Sequence, residues 1–202
     1  MDEIILIGAG GHARSCIDVI EMDGRFKIAG LIEKDETTIQ DNLGYPIIGT
    51  DADLPSLRSE FTFSLITIGQ IKSYKKRYQI YLRLIELDYK LPVIISPRAY
   101  VSKHSKIGDG TIIMHNSIIN ANSIIGKNCI INNKVLIEHD VNIGDNCHIS
   151  TGAIINGNVN VGFQSFVGSG VVTKQSISIG NNCIVGAGTV LKKDLVSNTL
   201  IK

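Results

Sequence analysis

The sequence predicts a small parallel α/β domain over residues 1–95, followed by a three-sided parallel β-helix over residues 96–202. Stepping by six from Val101 lands on an aliphatic residue at fifteen of sixteen stops up to Leu191, the exception being Thr173. Glycines recur every eighteen residues at Gly108, Gly126, Gly144, Gly162 and Gly180. Upstream of Val101, short aliphatic runs instead alternate with segments of helical spacing. A period of six inside a period of eighteen describes three short strands per coil, with the aliphatic stops pointing inward as stacked columns. Slightly more than five coils, at ~4.8 Å between stacked strands, make a prism on the order of 25 Å long.

In the first domain, Ile4 to Ile7 reads as a buried strand and Gly8-Ala9-Gly10-Gly11 as a tight loop. Ala13 to Met22 reads as a helix carrying apolar Cys16, Ile17, Val19 and Ile20. Phe26 to Ile32 is a second strand running into Glu33. After a polar loop, Tyr45 to Gly49 leads to a short helix near Ala52 to Leu57. Phe63 to Ile68 is a third strand closed by Gly69, Lys75 to Leu87 has helical apolar spacing, and Val93 to Ile95 is a last strand. Alternating strands and helices imply a parallel sheet. Pro92 and Pro97 bracket the passage into the repeats.

Net charge is +1, and Lys and Arg are spread along the chain, so no nucleic-acid footprint is present. The densest basic run, Lys72 to Arg77, reads as a solvated helix face, with a phosphate contact as the alternative. No stretch reaches the ~18 apolar residues of a membrane span. No secretory leader is evident either, so the expected compartment is the cytoplasm. Cys129, Cys147 and Cys183 all fall four residues after an aliphatic stop, in a slot otherwise held by small side chains such as Ser117, Ser123 and Ala153. One column of core filler is the expected reading. Zinc spacing is absent and no metal is expected. Cys16 carries no signal of its own.

Two segments could carry chemistry. Gly8-x-Gly10-x-x-Ala13 lies between a strand and a helix, where small residues let backbone N–H groups approach a phosphate and the helix start favours an anion. Glu33 ends the next strand, as a ribose-binding acid would. The domain is too short for two mononucleotide-binding halves, so a nucleotide-linked substrate is more economical than a dinucleotide. A tight turn without a ligand is the alternative. His12 is expected to face the open end of the sheet.

The second segment is Ile137-Glu138-His139-Asp140. His139 and His148 fall outside the inward slots, so neither is expected in the core. His104 and His115 also fall outside, have no adjoining acid, and read as surface residues. Asp140 can hold one ring nitrogen of His139 and raise the basicity of the other; a solvated loop histidine is the alternative. His139 and His148 are half a coil apart, on different sides of one prism, while Asn132 stacks eighteen residues before Ser150. A single site using all three would be shared by two prisms, and three prisms about a threefold axis would make three such grooves.

On these residues the chain resembles the bacterial sugar O-acyl/N-acyltransferases related to sialic acid O-acetyltransferase. It looks most like the branch that N-acetylates 4-amino-4,6-dideoxy sugars on a nucleotide carrier. The Gly-Ala-Gly-Gly-His opening, Gly69 after the third strand, and Ile-Glu-His-Asp within the hexapeptides carry the likeness across nearly the whole chain. The resemblance implies a left-handed β-helix, acetyl-CoA as co-substrate, a homotrimer, and a place in O-antigen or glycoprotein sugar biosynthesis. It implies His139 as general base oriented by Asp140, with Asn132 and His148 lining the site. Backbone N–H groups near Gly157 would meet the thioester, and Ser169, Ala187 and Gly188 would contact the coenzyme. Gly10, Gly11, His12, Glu33, Gly69 and Gln70 would hold the nucleotide.

The chain differs from family members in lacking a final Val-x-Gly-x-Pro-Ala-Lys segment, and in having Glu33 where some relatives have Asp. The expected activity is transfer of an acetyl group to the amine of a nucleotide-linked sugar, without nucleic acid or membrane as partner. The alternatives are O-acetylation of a sugar hydroxyl such as that of sialic acid, a non-catalytic sugar-nucleotide-binding prism, and, last, an NAD-dependent enzyme.

Overall fold

The structure, a computed structural model, describes residues 1–34 and 41–202. Most of the polar loop expected before Tyr45 lies outside the described residues. β1 (Asp2–Ile7), β2 (Phe26–Ile32), β4 (Tyr45–Gly49) and β5 (Phe63–Ile66) form a parallel sheet, with β3 (Asp41–Asn42) at its edge. The order is β3-β4-β2-β1-β5. Two features differ from the sequence reading: Tyr45–Gly49 is itself a strand, and β3 pairs antiparallel with it. Ile4, Ile5, Leu6 and Ile7 are all buried, because β1 is an inner strand, between β2 and β5, of a sheet covered on both faces. α1 (Gly11–Asp23) lies on one face, ending at Gly24 in the left-handed conformation, whose N–H reaches the Ile20 carbonyl. α2 (Leu54–Leu57) and α3 (Lys75–Glu86) belong to the other face, where Leu54, Ile80 and Leu84 pack with Ile5, Ile7 and Ile66.

The repeats coil as a left-handed parallel β-helix of two-residue strands. Each strand pairs with the one eighteen residues away, as in Ile130↔His148 and Ile131↔Ile149. Three sheets of seven, six and five strands result. We call them the docked face (Ile94–Ile95 through Leu200–Ile201), the apolar face (Tyr100–Val101 through Val190–Leu191) and the polar face (Lys106–Ile107 through Ser178–Ile179). The second residue of each strand points inward, and together these residues fill the prism with one apolar cluster. Thr173, the one polar stop, is buried with its hydroxyl accepting the Asn156 N–H. The four cysteines are buried and free.

Corners between faces turn through one residue with positive φ, among them Asn116, Asn122, Asp140, Asn158 and Gly188. Asn, Asp and Gly adopt that conformation at least cost. The eighteen-residue glycine column has a different cause. A Cβ on Gly126 would stand 2.6 Å from the Asp145 amide nitrogen and 2.7 Å from the Gly144 carbonyl carbon, both backbone atoms of the next coil. Gly108 and Gly162 face the following coil in the same way. Gly126→Ala is therefore expected to destabilise the fold by roughly 1–3 kcal/mol through overpacking. Thermal melting checks this, and an unchanged melting temperature would show that the coils can part at no cost.

α1 joins the domains: Cys16, Ile17 and Ile20 share one apolar cluster with Ile112, Met114 and Ile130 on the outside of the docked face. Two expectations are corrected here. The last strand expected in the N-terminal sheet, Val93 to Ile95, instead supplies Ile94–Ile95 as the first strand of the docked face, paired with Ile112–Ile113. Its apolar outward side chain is covered by α1, which is why it reads as a buried strand. His115 does have an acid beside it: Nε2 is 2.7 Å from Asp18 Oδ2 on α1, and Nδ1 is 2.7 Å from Ser96 Oγ. Ser96 is fully buried, so this Ser-His-Asp set braces the domain junction and offers no accessible nucleophile.

Candidate active site

The glycine loop and the strand ends line a cleft of about 290 Å³, with Gly10, Gly11, His12, Glu33, Thr67 and Gly69 around it. Nothing lies within 4 Å of where a Cβ would stand on Gly10 or Gly11, so the loop backbone is open to a ligand. Glu33 Oε2 accepts the Ala9 N–H at 2.7 Å, and Asn42 Nδ2 donates to the Ala9 carbonyl at 2.6 Å, so side chains fix the loop from both sides. Partial burial of Glu33 works to raise its pKa. The Ala9 and Lys34 amides and the Lys76 and Lys34 charges outweigh it and hold the carboxyl below its ordinary range. Lys34 and Lys76 both line the cleft. The sequence reading did not single them out, although Lys76 lies in the basic run 72–77 for which a phosphate contact was the alternative.

Gln70 is buried. Its side chain donates to the Asn146 carbonyl at 3.1 Å, and its own carbonyl lies 2.5 Å from His148 Nδ1. His148 points out of the prism as expected but is only 5 % exposed, because the N-terminal domain covers the docked face there. That corrects the expectation of a histidine outside any core. Since a carbonyl only accepts, Nδ1 carries the proton, and Nε2 is left facing Asn132 Nδ2 at 3.4 Å. Burial, helped by the Arg77 charge, brings His148 down to about 4. Asn132 and His148 therefore meet within one chain. His12 stands beside them, its ring 6.4 Å from that of His148, and Phe166 packs edge-on at 5.2 Å. Although His12 borders the cleft, most of its ring is buried. Burial first, then Arg77 and His148, bring it down to about 3.

His139 lies at another corner, between the apolar and polar faces, with its side chain 65 % exposed. Nδ1 is 2.7 Å from Asp140 Oδ2, while Asp140 Oδ1 accepts from Asn122 Nδ2 at 2.6 Å. The Asn122 and His139 hydrogen bonds hold the Asp140 carboxyl below its usual range. An ionised carboxylate only accepts, so His139 carries its proton on Nδ1 and presents Nε2 as a free base. The Asp140 contact also raises the pKa of His139 above its ordinary value. The imidazole lies over Gly157: a Cβ there would stand 2.9 Å from Nε2.

Ser169, Ala187 and Gly188 are exposed at the corner between the docked and apolar faces, with the Gly188 N–H donating to the Ser169 carbonyl at 2.8 Å. Gly152, Gly170 and Gly188 stack there with nothing within 4 Å of their Cβ positions, leaving an open trough along the corner. This fits an extended thioester arm. In one chain, then, the nucleotide candidates, Asn132 and His148 come together, and Gly157 joins His139. The apolar face separates that pair from the trough. Its outward column is Tyr100, Ile118, Leu136, Ile154, Val172 and Val190, of which Tyr100 and Val190 are each 60 % exposed.

Residues 3–83 match the family model described as PglD N-terminal domain. Residues 104–139 and 122–157 match bacterial transferase hexapeptide (six repeats), and 158–193 match hexapeptide repeat of succinyl-transferase. Perosamine N-acetyltransferase from Caulobacter crescentus, solved with CoA and GDP-perosamine, superposes with a TM-score of 0.92 at 31% identity, over 99% of this chain and 93% of that one. The acetyltransferase domain of PglB from Neisseria gonorrhoeae, solved with acetyl coenzyme A, gives a TM-score of 0.90 at 30% identity, over 98% and 94%. An uncharacterized protein of Acanthamoeba polyphaga mimivirus is 33% identical over 109 residues, 52% of this chain, which spans only 22% of that protein's length.

Proposed function

Because the chain belongs to the hexapeptide acyltransferases built on a PglD-type N-terminal domain, we propose that it N-acetylates a nucleotide-linked 4-amino-4,6-dideoxy sugar with acetyl-CoA as donor. The observation that carries the reading is the free Nε2 of His139, set by Asp140 and Asn122 over Gly157. The cleft of Gly10, Gly11, His12, Glu33, Gly69 and Lys76 takes the nucleotide and its diphosphate, with Gln70 buried behind it as the link to His148. The glycine trough beside Ser169, Ala187 and Gly188 takes the pantetheine arm. The sugar amine attacks the thioester carbonyl directly while His139 Nε2 removes the amine proton. No acyl-enzyme is needed, and none of the four buried cysteines has access to act as one. Backbone N–H groups near Gly157 stabilise the oxyanion, and holding two large substrates together supplies much of the remaining acceleration. Asn132 and the neutral His148 orient the acceptor.

The chain works as a homotrimer in this proposal. The apolar face is the one prism face whose outward column is aliphatic or aromatic throughout, and water contact over six stacked positions is unfavourable. It separates the His139 corner from the coenzyme trough, so packing it against a second copy lets the His139 corner of one chain meet the trough of its neighbour. The product belongs to bacterial glycan assembly, as O-antigen or glycoprotein sugar.

Acetyl-CoA offered with GDP-, UDP- and dTDP-linked 4-amino sugars should release free CoA thiol with at least one carrier. Release with free sialic acid but no nucleotide sugar would favour O-acetylation. No release with any acceptor, together with nucleotide-sugar binding by calorimetry, would favour a binding protein.

A further inference from the structure

Arg77, on the first turn of α3, is 1 % exposed. One guanidinium nitrogen, Nη1, donates to the carbonyls of Ile66 at 2.7 Å and Ile68 at 2.9 Å; Nε and Nη2 have no partner among the described residues. Among the described residues no carboxylate lies within ion-pair distance of it. The titratable groups facing it are Cys16 and His12 from α1, and Cys129 and His148 from the prism, none of them a carboxylic acid; burial works to raise the Cys129 thiol, but its hydrogen bonds with Cys147 outweigh it and hold the thiol below its ordinary value. Burial brings Arg77 down to about 10, which leaves it charged at neutral pH. A buried cation without a counter-ion is costly and is retained where something offsets it. The two carbonyls it holds flank Thr67, which lines the glycine cleft together with Ile68 and Gly69. Among the described residues, His12 Nε2 is likewise buried without a partner at the same place.

We infer that Arg77 is a positioning residue for the anionic half of the substrate: it clamps the strand end that floors the cleft, and its unneutralised charge behind that floor draws the diphosphate in. The inference rests on the nucleotide-linked substrate proposed above. His12 and His148, pressed into neutrality beside it, then serve as hydrogen-bonding groups and leave the electrostatic attraction to Arg77 from within and to Lys34 and Lys76 at the rim.

The test is calorimetry on the full chain at fixed salt, using GDP-, UDP- and dTDP-linked hexoses beside the matching nucleosides. Arg77→Gln should weaken nucleotide-sugar binding by roughly tenfold or more while nucleoside binding changes by less than about twofold. Arg77→Lys, which keeps the charge, should retain most of the preference for the diphosphate-bearing ligand. Equal losses for both ligands in Arg77→Gln, or a lost preference in Arg77→Lys, would mean a structural role only and would overturn the inference. Should Arg77→Gln not fold, the wild type and Arg77→Lys decide. Wild-type affinity for the nucleotide-linked hexose should stay level between about pH 8 and about pH 5.5, outside the titration of both histidines. Tightening on acidification with a midpoint near ~6.5 would assign the attraction to histidine and overturn it equally. Failure of the wild type to bind any nucleotide-linked hexose would instead remove the nucleotide reading itself, and this inference with it.

Discussion

Replacing His139 by alanine is expected to lower kcat by about 10²–10⁴-fold while nucleotide-sugar affinity changes little, the usual range for a lost general base. The ring is exposed and outside every apolar cluster, so its loss should leave folding intact. The pH dependence adds a second readout. In the proposed role His139 must be unprotonated to accept the amine proton, and the Asp140 contact raises its pKa above the ordinary value of 6.5. Activity should therefore fall as pH drops through a value above 6.5. Asp140→Asn keeps a residue suited to the positive φ of 61° at that corner. By removing the carboxylate it should move the acid limb down toward about 6.5 and lower the plateau, since the remaining base is weaker. Near-normal kcat in His139→Ala would refute the base assignment. An unmoved acid limb in Asp140→Asn would show that Asp140 serves only the corner.

Leu136→Asp should convert the proposed trimer to monomers and abolish most turnover. Leu136 is an outward, half-buried member of the apolar column, while Ile137, the next residue of the same strand, fills the prism. The substitution thus puts a carboxylate into the proposed contact without touching the internal core. Burying it there unpaired would cost several kcal/mol per copy, which cancels the gain from roughly 100–200 Å² of apolar contact at about 25 cal/mol per Å². Light scattering should report a single-chain mass with an unchanged far-UV spectrum, and thiol release should drop at least about 100-fold because each site then lacks the neighbour's trough. A variant that stays trimeric, or a fully active monomer, would sink the shared-cleft proposal.

The legibility of the chain follows the range of the forces involved. The inward stops Val101 to Leu191 and the Gly108-to-Gly180 column were readable because each coil repeats one local demand: an apolar side chain inside and no Cβ where the next backbone stacks. The contact of His139 with Asp140 was readable for a similar reason, since the two are neighbours in sequence at one corner, and the approach of Glu33 to the glycine loop follows from adjacent parallel strands ending side by side. Ile94–Ile95 was placed in the wrong sheet because a buried aliphatic strand looks alike wherever it is buried. The seclusion of His148 and the pairing of His115 with Asp18, 97 residues apart, had no signature in the repeat. Arg77 was hidden inside a basic run whose other members remain in solvent.

The coil, its three sides and the αβ domain ahead of it were written in the chain's short-range periodicity. Which prism face α1 covers emerged from the packing of the two domains. That choice placed His148 beside Asn132 and Gln70, buried a lone guanidinium behind the cleft, and left one apolar face bare. The reason is that docking is settled by the complementary shape and polarity of two whole surfaces, and no local repeat encodes it.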